Sequence, residues 1–356
     1  MYKVRTYNAI SPKGLNRLSR DCFEVSSDIK APDALLLRSH KLSGADISDS
    51  VSAIARAGAG VNNIPIERCT ERGIVVFNTP GANANAVKEL VAAGMLLASR
   101  DIVGGMRFIN ELDPSLSAED MGPVLEANKK QFAGSELQGK TLGVLGLGAI
   151  GSLIARLGLD LGMEVVGYDP AISVEAAWRL PSSVKKMDNM QSLFARSDYV
   201  SLHIPVLDST RGLINTDTLS YFKKDACLLN FARDQIVNTD AVVVALDKDQ
   251  LRAYVTDFPH PALRNRSDTI LMPHIGASTA EAEENCAVMA ADAASMRMKE
   301  LKAELDERGV EWRGKIFEKE ELAAALEKAR LQPPAPAAPP PPAAAPPPPP
   351  PLAFDQ

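Results

Sequence analysis

The sequence predicts two doubly wound α/β units, each built on a parallel sheet, followed by a small helical segment and a disordered Pro/Ala tail. Three observations carry that expectation. Short apolar stretches recur along the chain and alternate with helical or polar segments. A glycine-rich turn joins one such stretch to a helix near the middle of the chain. With 356 residues, there is material for two cores of ordinary size.

In the first unit, residues 2–8, 34–39, 52–58 and 74–80 read as strands, with turn signals and polar or helical segments such as 66–73 between them. Residues 83–109 place apolar side chains three and four apart and read as one long helix. Residues 111–139 are polar and irregular, a connection between units. The second unit runs from Lys140 to about Thr279, with strands expected at 141–146, 164–169, 199–205, 227–232, 253–258 and 270–276. The Ala-rich stretch 280–305 reads as a long helix able to cross back onto the first unit. The expected division is therefore a discontinuous domain of residues 1–99 and 280–300 around a domain of residues 100–279. Residues 301–331 read as helix, turn, helix. From Pro333 the chain is almost only Pro and Ala, so residues 332–356 cannot bury a core.

Composition narrows the function classes. A hydrophobic share of 46% with 24% charged residues is that of a soluble globular protein. The net charge of −6 argues against a surface that coats nucleic acid, yet leaves room for a local basic pocket. Cys22, Cys69, Cys227 and Cys286 are scattered, with no CxxC pair and no His at metal spacing, so the expectation is free thiols and no metal site. The first ten residues alternate like a strand rather than a signal peptide, and no apolar run approaches the roughly 20 residues of a membrane span. A cytoplasmic protein is expected.

The cofactor signal lies in residues 141–170. Gly146, Leu147, Gly148, Ala149, Ile150 and Gly151 spell G-x-G-x-x-G directly after an apolar strand and at the mouth of a helix. The first glycine permits the tight turn, the second lets the backbone approach a pyrophosphate, and the third lets helix and strand pack closely. The helix N-terminus offers unpaired N–H groups to that pyrophosphate. Asp169 ends the next strand, where its carboxylate can accept ribose hydroxyls. Pro170 and Ala171 follow with no nearby Arg to meet a 2′-phosphate, so the cofactor expected is NAD.

Several further segments occur in order: LLLRSHKL, ARAGAGVNNIPIERCTERGIVVFNTPGANANAVKEL, SLHIPVLDSTRGLIN, LLNFARDQIV, YVTDFP and MPHIGASTAEA. With the glycine motif, they make residues 2–298 resemble the D-isomer-specific 2-hydroxyacid dehydrogenases, and among them the short phosphoglycerate dehydrogenases without a regulatory ACT domain. The resemblance implies two Rossmann/flavodoxin-like domains, a homodimer formed through the cofactor domain, and a small 2-hydroxy or 2-keto acid substrate. It also implies roles. Arg233 would grip the substrate carboxylate and carbonyl, for which a planar, always charged guanidinium is suited. His274 would exchange the hydroxyl proton, imidazole being the group that titrates near neutral pH. Gly58, Ala59 and Gly60 would present N–H groups to the carboxylate, Arg38 and Ser39 would face a phosphate, and Asn83 would lie near substrate and cofactor. His203, Thr210, Asp257 and Gly276 would border the nicotinamide, with Pro205, Phe231 and Ala232 as its apolar surroundings. The implied reaction is oxidation of D-3-phosphoglycerate to 3-phosphohydroxypyruvate, the first step of phosphorylated L-serine biosynthesis.

The chain departs from that pattern twice. The family's Glu, which pairs with the catalytic His, has no counterpart after Asp257, and His260-Pro261 occupies the neighbourhood of the family's E-P pair. Asp234 follows Arg233 where the family has Gly. Residues 301–331 resemble a SAP-like helix-turn-helix, with eight acids against seven bases and therefore no expected DNA contact. These features leave a second reading open, an NAD(H)-binding scaffold resembling the corepressors of this fold.

Overall fold

The computed structural model describes residues 1–307 apart from residue 179. The first sheet is built from β1 (Tyr2–Thr6), α1 (Pro12–Leu15), β2 (Phe23–Ser26), β3 (Ala34–Leu37), β4 (Ala53–Arg56), α2 (Ile66–Glu71) and β5 (Val75–Phe77). Its strands run parallel in the order β2-β1-β3-β4-β5. Three helices follow: α3 (Ala84–Ser99), α4 (Ile102–Asn110) and α5 (Ala118–Asn128). The second sheet takes β6 (Thr141–Leu145), α6 (Ala149–Asp160), β7 (Glu164–Tyr168), α7 (Val174–Trp178), β8 (Lys185–Lys186), α8 (Met190–Arg196) and β9 (Tyr199–Leu202). It continues with α9 (Thr216–Leu219), β10 (Ala226–Asn230), α10 (Thr239–Asp247), β11 (Leu251–Thr256) and β12 (Thr269–Leu271), and α11 (Ala280–Glu307) comes last. Its strand order is β12-β11-β10-β9-β6-β7-β8, again parallel. Met1–Ser295 form one compact unit that holds both sheets.

The strands form where the sequence is continuously apolar, because a parallel sheet is covered on both faces. β3 (ALLL), β9 (YVSL) and β10 (ACLLN) are buried along their whole length. Leu35, Leu37 and Ile54 pack with Ile47 and Ile64 on the first sheet. On the second, Leu202 and Leu228 pack with Leu193 and with Phe194, which stacks on Phe222 at 4.4 Å.

Helix α3 follows the first sheet in sequence but packs on the second. Val87, Val91 and Met95 join Leu142, Val144, Leu229 and Val255 in one core. Gly94 makes the approach possible: a Cβ there would sit 3.0 Å from Val255 Cγ1 and 3.2 Å from the Phe231 ring. Helix α11 returns to the start of the chain. A Cβ on Gly14 would meet the Ala287 backbone at 2.6 Å, and ion pairs join Lys13 to Glu284 and Arg17 to Asp292.

Three local expectations are corrected. The helix expected over 83–109 is two helices, because Arg100 is extended and the Asp101 carboxylate caps α4 by accepting the Gly104 N–H at 2.9 Å. The connection 111–139 contains α5, capped by Ser117, whose hydroxyl accepts the Asp120 N–H at 3.1 Å. Gly122 and Pro123 inside α5 blur its apolar period, which hid the helix. Strands β2 and β8 were missed; each is a short edge strand, and β8 is a pair of exposed lysines. The helix-turn-helix expected to residue 331 lies outside the described residues beyond Glu307, as does the Pro/Ala tail. Among the described residues, no helix is long and apolar enough to cross a membrane.

Candidate active site

In both sheets the strand order reverses beside the first strand, between β1 and β3 and between β6 and β9, and ligands of open α/β sheets bind beyond the strand ends at such points. The glycine turn lies at the second reversal. Gly146 has φ +90°, and a Cβ on it would sit 2.5 Å from the His203 carbonyl oxygen. A Cβ on Gly151 would fall 1.9 Å from the Gly146 oxygen, so the first turn of α6 closes over the loop only with glycine. Gly148, the N-cap of α6, faces open space, with nothing within 4 Å of its Cβ position. That cradle, in front of the α6 N–H groups, fits a pyrophosphate.

The residues around the cradle are ordered by their own bonds. Asp169 accepts the Leu147 N–H on Oδ2 at 2.8 Å and the Ala171 N–H on Oδ1 at 2.9 Å, which aims its carboxylate beside the exposed Gly148, Ala149 and Pro170. Leu147 is buried, and Ile150 packs against the core below. His203 places Nε2 2.8 Å from the Ser201 hydroxyl, and its enclosed Nδ1 has no partner among the described residues. Burial pushes this imidazole down to about 3, so it is neutral at ordinary pH. Thr210 braces its own turn, donating to the Pro205 carbonyl at 2.6 Å and accepting the Leu207 N–H at 2.8 Å. Phe231 and Ala232 are buried, with the Phe231 ring against Gly94 of α3.

The substrate candidates gather at the carboxyl ends of β3, β4 and β10. Gly58, Ala59 and Gly60 form a turn braced from behind: Asn78 Nδ2 donates to the Ala59 carbonyl at 2.6 Å, and the Thr79 N–H to the Gly58 carbonyl at 3.1 Å. The point a Cβ on Gly60 would occupy is 2.8 Å from Arg56 Nη1 and 2.9 Å from Arg233 Nη2. Two guanidinium groups thus converge on one glycine, Arg56 donating from Nη1 to the Gly60 carbonyl and Arg233 standing beside it as the freer cation for a carboxylate. Burial, and after it the Arg233 cation, press the Arg56 guanidinium below its ordinary value. Arg233 also donates to the Ala232 carbonyl at 2.5 Å.

At the first reversal, Asn8 takes a left-handed backbone, φ 67°, and its Oδ1 accepts the N–H groups of Ser39 and His40 at 3.1 and 2.7 Å. Arg38 pairs with Glu283 of α11, Nη2 to Oε1 2.6 Å. Asn83 occupies the N-cap position of α3 without a side-chain capping bond, its Oδ1 buried and unpartnered among the described residues, near enough to the cofactor side that Gly81 abuts Ala149.

The acid–base candidate sits on a strained backbone. His274 has φ 50°, an uncommon setting for a non-glycine residue and one that concentrates at functional sites. Its N–H donates to the Asp257 and Met272 carbonyls at 2.8 and 3.1 Å, and its exposed ring lies 4.8 Å from Phe258. Asp257 is buried; Oδ2 accepts the Gly276 N–H at 2.9 Å, and Oδ1 has no hydrogen-bond partner among the described residues. Burial raises this carboxyl, while the Gly276 N–H, His274 and Arg233 draw it back. His260 caps its own turn, Nδ1 accepting the Ala262 N–H at 3.3 Å. Asp234 is exposed and outside the left-handed region, so glycine is not required there.

Sequence reasoning missed Arg56 and Asn78 as members of this cluster. A charged residue ending the otherwise buried strand AIAR was the available signal for Arg56.

Residues 101–276 match the sequence profile of the NAD binding domain of D-isomer specific 2-hydroxyacid dehydrogenases. The D-3-phosphoglycerate dehydrogenase of Methanocaldococcus jannaschii is 34% identical over 279 residues, 76% of this chain and 50% of that protein. The hydroxypyruvate reductase of Thermotoga maritima is 33% identical over 277 residues, 74% of this chain and 84% of that protein. Among solved structures, the TT0316 protein of Thermus thermophilus superposes with a TM-score of 0.68 at 27% identity, covering 84% of this chain and 97% of that one. The chain spans about half the length of the first curated phosphoglycerate dehydrogenases it matches.

Proposed function

The chain belongs to the D-isomer specific 2-hydroxyacid dehydrogenase family and carries its NAD-binding domain, and we propose that it interconverts D-3-phosphoglycerate and 3-phosphohydroxypyruvate, the entry to phosphorylated serine synthesis. The convergence of Arg56 and Arg233 on Gly60 carries this reading. Two cations beside a glycine turn match the carboxylate of a 2-hydroxy acid, and the N–H groups of Ala59 and Gly60 donate to no acceptor among the described residues. Arg38 offers a third cation at the first sheet's reversal point for the phosphate.

In this reading the residues divide the work. Arg233 and Arg56 hold the carboxylate and polarise the carbonyl oxygen. His274 takes the hydroxyl proton as C2 loses hydride, and returns it in reduction. Asp257, with a free buried oxygen, stands in for the absent Glu and stabilises protonated His274. The Gly146–Gly151 cradle would hold NAD, which would supply the hydride acceptor or donor. The α6 N-terminus would hold its pyrophosphate and Asp169 its ribose hydroxyls. Exposed Leu96, Ile102, Val103, Met106 and Ile109 on α3 and α4 support a homodimer formed through the cofactor domain. A cytoplasmic site of action is part of the same proposal.

The test is NADH oxidation by the purified protein with 3-phosphohydroxypyruvate, glyoxylate, pyruvate and hydroxypyruvate, beside a His274→Ala control. Preference for the phosphorylated ketoacid, lost in the control, is the expected result. One observation favours the scaffold reading: the segment after Asp257 brings no carboxylate to His274, and His260 is spent on its own turn. Measurable NADH binding with no turnover on any of the four acids would put that reading first instead.

A further inference from the structure

Arg38 is the cation best placed to meet the far end of a substrate. It follows β3 at the reversal point of the first sheet, and its main chain is fixed by two donors to its carbonyl, Arg56 Nε at 3.0 Å and Asn63 Nδ2 at 3.2 Å. Its guanidinium is not free. Nη2 lies 2.6 Å from Oε1 of Glu283, in the first turn of α11, and the two side chains keep 36% and 42% of their surface exposed. The neighbouring acids are committed elsewhere: Glu284 pairs with Lys13, and Asp46 accepts from the Ser43 N–H and hydroxyl. Glu283 is therefore the carboxylate that a tail phosphate has to displace or share Arg38 with. Its neighbourhood is partly open to water, so the exchange is feasible and the pair is not locked.

We infer that Glu283 is a specificity-determining residue, an acidic guard on Arg38 that weakens binding of substrates with a phosphorylated tail and leaves those with an uncharged tail untouched. The inference rests on the reading of Arg38 as the tail contact. Physically, a dianion approaching Arg38 meets a carboxylate of its own sign at hydrogen-bond distance from the same guanidinium. A hydroxymethyl tail meets no such repulsion. A neutral amide at 283 keeps the shape of the contact and removes the charge.

The experiment titrates 3-phosphoglycerate and D-glycerate into the NAD-saturated full chain, for the unaltered protein, Glu283→Gln, Arg38→Ala and the double variant. Expected is a gain of roughly 1.5-fold to fivefold for 3-phosphoglycerate in Glu283→Gln, the range of a partly exposed pair. No change is expected for D-glycerate, and the gain should vanish in the Arg38→Ala background. An equal gain for both acids, a gain that survives without Arg38, or no gain at all would overturn the inference. Turnover with the four ketoacids is followed in parallel. Its absence sinks the proposed reaction, while the titrations still decide the role of Glu283.

Discussion

Asp257 accepts the His274 backbone N–H on its carbonyl oxygen at 2.8 Å, so the acid–base candidate and the buried carboxylate beside it are tied by one main-chain bond. Oδ1 of that carboxylate is buried without a hydrogen-bond partner among the described residues. A buried acceptor left unmade is unfavourable, and a protonated imidazole next to it relieves the penalty. Asp257→Asn should therefore slow reduction of the ketoacid at neutral pH, where His274 has to start protonated. The sign follows from charge: the carboxylate is an anion beside the ring that carries the transferred proton, whereas the amide is neutral, so the rate falls. Turnover in both directions at neutral pH checks this, and an unchanged rate would leave Asp257 a structural role only.

Arg233→Lys keeps the charge and loses the planar fork. A charge-assisted pair of hydrogen bonds is worth about 1.5–3 kcal/mol, so kcat/KM should fall by roughly ten- to 150-fold. NADH affinity, read by its fluorescence, should be unchanged, because Arg233 lies against Gly60 and not against the glycine cradle.

Gly148 and Gly151 should fail in different ways when replaced by alanine. A Cβ at 151 would fall 1.9 Å from the Gly146 oxygen, whereas one at 148 meets nothing within 4 Å. Gly151→Ala should melt several degrees lower, about 2–4 °C for each kcal/mol in a domain of this size. Gly148→Ala should melt with the unaltered apo protein yet bind NADH more weakly, since its methyl enters the pyrophosphate space.

His203 gives the fold a pH dependence of known sign. Its imidazole, pushed down to about 3 by burial, stays neutral where the unfolded chain's imidazole takes a proton near 6.5. Within that window the unfolded chain binds more protons, so stability falls as pH drops, by about 1.4 kcal/mol per unit for this group. Between neutral and mildly acid pH, the melting temperature of the unaltered apo protein should therefore fall more steeply than that of His203→Asn, which lacks the group. Equal slopes would mean that the ring is protonated in the folded state.

The parallel strands were legible because burial on both faces demands unbroken apolar runs, as in ALLL and YVSL. The glycine motif was legible because each glycine answers a separate steric demand, now visible at Gly146 and Gly151. What stayed hidden depends on long-range packing. Nothing in the local pattern of 84–99 says that α3 serves the second sheet, since its apolar stripe suits either one. Arg56 was hidden because its importance lies in meeting Arg233, a residue 177 positions away in the chain. Glu283 read as an ordinary first-turn acid until its contact with Arg38 was seen.

The return of α11 to Gly14 has a consequence for how the chain is made. A ribosome delivers residues in order, and early segments usually fold first. Here the face of the first lobe around Lys13, Gly14 and Arg17 waits for Glu284, Ala287 and Asp292. The second sheet, contiguous from Thr141 to Leu271, has all its strands before those partners emerge. The side of the chain begun first is thus finished last, and until α11 emerges the face around Gly14 stays uncovered.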